Sequence, residues 1–61
     1  MGTLPEKELL RPDEVAEYLR LHRATVYRLC ETGKLDSVRI GERSIRIKRY
    51  SVIILQKESN E

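Results

Sequence analysis

The chain has 61 residues and a net charge of +2, and 36% of its residues are charged. A chain this short forms at most one domain with a marginal core, which seldom holds several groups with the precision that catalysis requires. Its single cysteine and single histidine exclude an internal disulfide and a zinc site made within the chain. We therefore expect no enzyme activity, no metal and no other cofactor.

No apolar stretch approaches the ~20 residues that a membrane-spanning helix needs. The N-terminal residues lack the basic start and the apolar run of a signal peptide. A lone cysteine fits a reducing compartment. These features predict a soluble cytoplasmic protein without a membrane partner.

The basic residues are concentrated in the middle of the sequence. Residues 20–49 contain nine lysines and arginines against three acidic residues, a net charge of +6. Residues 1–19 carry a net charge of −3 and residues 50–61 a net charge of −1. The distribution, more than the total, indicates a basic surface between acidic flanks.

The N-terminal part of the chain contains an arm and a first helix. Residues 1–10 hold a glycine, a proline and several charges without a sustained period, which predicts a flexible N-terminal arm. Pro12 suits a first helical position, and the two acidic residues after it complement the helix dipole. Apolar residues then recur at helical spacing, so a helix is predicted over residues 12–19.

A three-residue turn leads to a second helix, predicted over residues 23–32. Its apolar face consists of Val26, Leu29 and Cys30. Gly33 is placed to take the left-handed conformation that ends a helix. Two short helices joined by such a turn predict a helix-turn-helix, whose second helix enters the major groove of DNA.

The remainder of the fold is predicted as a hairpin and a third helix. Apolar and polar residues alternate over residues 37–40 and 44–47, on both sides of a turn that contains Gly41, which is typical of a β-hairpin. Residues 49–57 have the length of a helix, although they include three β-branched residues. The predicted fold class is α+β, mainly α, with residues 58–61 as a C-terminal tail.

The predicted DNA-binding residues lie on the second helix and the hairpin. If the apolar face of the helix points inward, its polar side chains at the start and on the opposite face are left to read DNA. On the hairpin, Ile40, Ile45 and Ile47 are expected to share the buried side, and the basic residues to point away or lie at the turn. The predicted set is Arg23, Thr25, Tyr27, Arg28, Arg39, Arg43, Arg46 and Lys48.

The combined pattern resembles the excisionase-family, MerR-like helix-turn-helix domains. The resemblance is carried by residues 11–19 (RPDEVAEYL), 23–29 (RATVYRL), 31–35 (ETGKL), 38–41 (VRIG) and 45–49 (IRIKR). It covers about residues 10–55, nearly the whole predicted domain over residues 11–57. As a combination, these motifs are specific.

The resemblance implies a winged helix-turn-helix protein of a phage, plasmid or integrative element, in the prokaryotic cytoplasm or nucleoid. Such proteins bind DNA near attachment sites or promoters and often bend it, and many direct recombination. The recognition helix would lie in the major groove, and the hairpin wing in a minor groove or on the backbone. The implied partners are double-stranded DNA and an integrase or recombinase. The chain departs from the family pattern at Arg11 and His22, where serine or threonine caps are usual, and at Glu42.

Ile53 and Ile54 are a further departure, because the family commonly has acidic or small residues at their positions. They predict a protein-contact patch for self-association on DNA or for a recombinase. The alternative is that so small a domain uses every apolar residue in its core.

The preferred function is sequence-specific DNA binding by an excisionase or recombination directionality factor that bends or coats attachment-site DNA. A small transcriptional regulator of a mobile element would use the same fold and contacts. A protein-interaction module is the alternative of a different class. It need not show the steep salt dependence that phosphate contacts produce.

Overall fold

The computed structural model describes residues 4–59 of the chain. These residues form three helices and a three-stranded antiparallel sheet, in which β3 lies between β1 and β2. The predicted α+β fold, a small winged helix-turn-helix with a C-terminal helix, is confirmed. In chain order the elements are β1 (Leu9–Leu10), α1 (Pro12–Leu19), α2 (Arg23–Glu31), β2 (Ser37–Ile40), β3 (Ser44–Lys48) and α3 (Arg49–Ser59).

The start of α1 is stabilised by one carboxylate. Pro12 occupies the first turn, and the Arg11 backbone N–H donates to Glu14 Oε1 at 2.8 Å. The reciprocal bond of a capping box is missing, because a guanidinium has no acceptor for a backbone N–H. α1 ends at Leu19, and the next residue, Arg20, adopts the left-handed conformation with φ 60°. The turn to α2 is as short as predicted.

The C-terminus of α2 forms a Schellman motif. Gly33 has φ +86°, and its N–H donates to the Cys30 carbonyl at 3.3 Å, while the Lys34 N–H donates to the Leu29 carbonyl at 3.0 Å. These two bonds satisfy carbonyls that the helix itself leaves free. The prediction that Gly33 closes this helix is confirmed. Leu35, just beyond it, is buried in the core.

The two hairpin strands and the turn between them are as predicted, but the side chains are distributed differently over the two faces. Ile40 pairs with Ser44, so the turn contains three residues, and Arg39 lies directly opposite Ile45. Directly opposed residues share a face of the sheet. The expectation that Ile40, Ile45 and Ile47 share one face is therefore wrong, as is the expectation that Arg39 and Arg46 share the other. Ile40 lies on the outer face and is exposed.

The sequence did not predict β1, which adds a third strand to the hairpin. Leu9 pairs with Lys48 and Leu10 with Ile47. Arg49 fixes the chain before β1, since its backbone N–H donates to the Glu8 carbonyl at 2.9 Å and its Nε to the Pro5 carbonyl at 2.8 Å. Leu4 is also buried. Residues 1–3 of the predicted arm and residues 60–61 of the predicted tail lie outside the described residues, and α3 extends to residue 59.

A single core joins these elements. It takes fully buried side chains from β1, α1, α2, β3 and α3 and from the loop after α2, and these are Leu10, Val15, Val26, Ile47, Val52 and Leu35. Because helices and strands share one core, the position of α2 is fixed relative to the hairpin. None of the helices formed by residues 4–59 is long and apolar enough to cross a membrane.

Candidate nucleic-acid interface

α2 presents a polar surface away from the core. Val26 is fully buried, whereas Arg23, Tyr27 and Arg28 are exposed and Thr25 is half-buried. At about 100° per residue, Arg23 and Tyr27 lie on one side of the helix, and Arg28 lies on the face opposite the buried Val26. Three of the four positions of α2 predicted to read DNA are thus exposed, and the fourth, Thr25, is partly buried.

The four predicted hairpin residues have different environments. Arg39 on β2 and Arg43 in the turn are exposed. Arg46 is half-buried, and its Nη1 donates to the Ile45 carbonyl at 2.9 Å. Lys48 lies at the far end of β3, where its Nζ is 3.7 Å from Asp36 Oδ2. Lys48 therefore already has a carboxylate neighbour, away from the hairpin tip.

One cleft brings together residues of α2 and the hairpin. Its walls are the first residues of α1, the N-terminal half of α2, and the hairpin turn with the start of β3, and it encloses about 270 Å³. Four of the eight predicted DNA-binding residues line it: Arg23, Tyr27, Arg43 and Arg46. Thr25, Arg28, Arg39 and Lys48 lie outside it. We call this feature the arginine cleft.

The arginine cleft has a strongly positive lining. It includes a fourth arginine, Arg11, and one acidic residue, Asp13. Guanidinium groups match phosphate geometry, and their charge is retained at every physiological pH. The arrangement is suited to an anionic ligand such as the DNA backbone.

The two isoleucines of the predicted protein-contact patch lie in different surroundings. Ile53 packs against the core and borders a groove beside β1 and β2, whereas Ile54 is 48% exposed and borders a second groove beside the end of α2. Tyr50, four residues before Ile54, is 54% exposed and donates a hydrogen bond to Asp36. The exposed apolar surface of α3 is thus formed by Tyr50 and Ile54.

The remaining chemistry of the described residues is limited. Burial raises the pKa of the Cys30 thiol, which keeps it protonated near neutral pH and a poor nucleophile. Within residues 4–59, no group of three or more histidine, cysteine, aspartate or glutamate side chains is placed to hold a metal ion.

Sequence reasoning missed two surface residues. The family pattern marks Arg11 only as a departure at a helix cap, and the structure places it in the arginine cleft. Tyr50 is not among the predicted surface residues, although its spacing of four residues from Ile54 places both on one face of a helix.

Comparison with known proteins identifies the family. A family model described as "Helix-turn-helix domain" matches residues 9–58. The chain belongs to this helix-turn-helix family. It is also 41% identical over 51 residues to a protein in each of two strains of Mycobacterium tuberculosis, both named "Putative DNA-binding protein". The match covers 84% of this chain and 64% of each relative, so the chain spans less than two thirds of their length.

Proposed function

We propose that this helix-turn-helix protein is an excisionase-type factor, which binds attachment-site DNA sequence-specifically, bends or coats it, and directs a recombinase toward excision. The observation that carries the proposal is the arginine cleft, where Arg23 and Tyr27 of α2 meet Arg43 and Arg46 of the hairpin. The protein itself catalyses no step in this proposal.

The diameter of α2 fits the major groove. An α-helix with its side chains is about 10–12 Å across, and the groove is about 12 Å wide. Arg23 and Arg28 would offer forked donors to guanine or phosphate, and Thr25 and Tyr27 would supply hydroxyl groups and apolar contacts. These four residues are the proposed reading set.

The hairpin would lie along the flanking minor groove or the backbone. Arg43 is at the exposed turn, and Arg39 and Arg46 are on opposite faces of the hairpin. A strand pair with arginines on both faces can contact both walls of a narrow groove, where the negative potential is greatest. Lys48 is proposed as a weaker, peripheral contact, because it already faces Asp36.

The exposed side of α3 is proposed as the protein-contact surface. Ile54 and Tyr50 border the groove at the C-terminal end of α2, whereas the arginine cleft lies at its N-terminal half. A recombinase or a neighbouring copy could therefore bind α3 while DNA occupies α2. Ile53 contributes less, because it packs against the core.

A gel-shift titration tests the proposal on the attachment-site and promoter DNA of the protein's own locus, at about 50 and 200 mM salt. Neutralising about five phosphates predicts a log–log salt slope near −4.5. Arg28→Ala should weaken binding to the specific site roughly tenfold, as expected for one lost base or phosphate contact. Lys57→Ala removes the same charge from α3 and should leave binding nearly unchanged.

The outcomes separate the candidate functions. Tight binding to attachment DNA that is weakened by Arg28→Ala supports an excisionase. Binding to promoter DNA alone would indicate a transcriptional regulator of a mobile element. Absence of salt-sensitive binding to either duplex would contradict the proposal and favour a protein-interaction module. On tandem sites, Ile54→Glu should abolish cooperativity while single-site affinity is retained, and retained cooperativity would exclude α3 as the contact surface.

A further inference from the structure

Among residues 4–59, the Arg11 side chain makes one exposed ion pair and caps no helix. Its backbone N–H is satisfied by Glu14, and the guanidinium cannot accept a bond from the first turn of α1. The side chain is 61% exposed, and its ion-pair partner among the described residues is Asp13, at 3.6 Å from Arg11 Nε to Asp13 Oδ1. An exposed pair at this distance is weak and easily exchanged for another anion.

The position of this pair matters because both residues line the arginine cleft. Arg11, which precedes α1, and Asp13, in its first turn, line this cleft together with Arg23 of α2 and Arg43 of the hairpin. Asp13 is the one carboxylate in the described lining, and its Oδ1 lies 3.6 Å from Arg11 Nε. A DNA strand that passes from α2 to the hairpin has to cross this cleft.

We propose that the arginine cleft is a binding site for one backbone phosphodiester. In this site Arg11 contacts the DNA, and the phosphate displaces Asp13 from Arg11. The inference rests on the proposed DNA binding and deepens it. A phosphodiester oxygen pair matches the forked donors of Arg11 and Arg23, as the carboxylate does. The contact reads no base, so it adds affinity and fixes register without adding sequence preference.

The salt dependence of binding tests the phosphate contact. Arg11→Ala should make the log–log slope about 0.9 less steep and weaken binding about five- to tenfold near 0.1 M salt, equally on specific and random duplexes. Arg11→Lys keeps the charge and should restore the slope. Lys57→Ala is the matched control and should leave the slope unchanged. Circular dichroism establishes that each variant is folded.

Asp13→Asn tests the displaced anion. The variant should bind duplex DNA more tightly than the wild type, because no carboxylate then competes with the phosphate. The gain should disappear in the Arg11→Ala background, which a double-mutant cycle measures as coupling between the two positions. An equal gain in both backgrounds would mean that Asp13 acts only through its long-range charge, and would contradict the displacement.

Binding by the wild type and by Arg11→Ala distinguishes an absence of DNA binding from an absence of the Arg11 phosphate contact. If the wild type binds no duplex, the DNA-binding proposal itself fails. If the wild type binds with a steep log–log salt slope and Arg11→Ala retains both that slope and the affinity, the proposed phosphate-binding site is wrong, while DNA binding by the protein stands. A loss confined to the specific duplex would also overturn the inference, since it would mark Arg11 as a base contact.

Discussion

Glu14 links three parts of the N-terminal region through one carboxylate. It accepts the Arg11 backbone N–H at 2.8 Å and the Lys7 ammonium at 3.0 Å. These hydrogen bonds, with the backbone bond first in importance, hold the pKa of Glu14 below its usual range. The sequence indicated an acidic first turn of α1, but the bond to Lys7 depends on how the preceding segment folds back and could not be predicted from local pattern.

The lowered pKa of Glu14 predicts a contribution to stability that depends on pH. A carboxylate whose folded-state pKa is depressed stabilises the protein above its unfolded pKa of about 4.3, and the contribution is lost as pH falls through the folded value. Glu14→Gln should therefore lower the free energy of unfolding near pH 7 and flatten its decline below about pH 5. Urea titrations between about pH 3 and 7 measure both. If the free energy of unfolding of Glu14→Gln declined below about pH 5 as steeply as that of the wild type, this role would be contradicted. Glu17→Gln, on the exposed side of α1, is the control.

Among the elements, the helices and the two hairpin strands were predictable, whereas the faces of the hairpin and the third strand, β1, were not. α1 and α2 are bounded by local signals, Pro12 at one start and Gly33 at one end, and these act over a few residues. The hairpin faces depend on turn length, since a four-residue turn would have placed Ile40 opposite Ile45, and the three-residue turn flips it to the outer face. β1 has two residues and exists through pairing with β3, which no local pattern records.

The left-handed conformation of Gly33 at the end of α2 can be tested by substitution. A Cβ at Gly33 would meet no atom within 4 Å, so Gly33→Ala tests the left-handed conformation without a steric clash. It should lower the free energy of unfolding by about 1–2 kcal/mol. Arg20→Gly should have the opposite sign, because Arg20 has φ 60° without being glycine, although glycine's greater freedom in the unfolded chain offsets part of the gain. Denaturant unfolding measures both, and a neutral Gly33→Ala would contradict the assigned strain.

At the scale of the whole molecule, one shared core positions two separate surfaces. The arginine cleft lies at the N-terminal half of α2, and the exposed Tyr50 and Ile54 lie near its C-terminal end. Four of the residues that line the arginine cleft, Arg23, Tyr27, Arg43 and Arg46, belong to the set predicted from the sequence, because charge and helical period mark them. The sequence did not bring Arg11 into the same cleft, since that depends on how α1 packs beside β3.

The most direct test of the central claim, that α2 and the hairpin form the DNA interface, is a heteronuclear NMR titration of the protein with a duplex from its own locus. The duplex should have about 12 base pairs, roughly one helical turn, so that one protein molecule binds. We predict that the largest amide shift changes fall in residues 23–28 and 43–46, while residues 50–57 of α3 change little. Changes concentrated in α3, or none in α2 under low-salt conditions, would contradict the account.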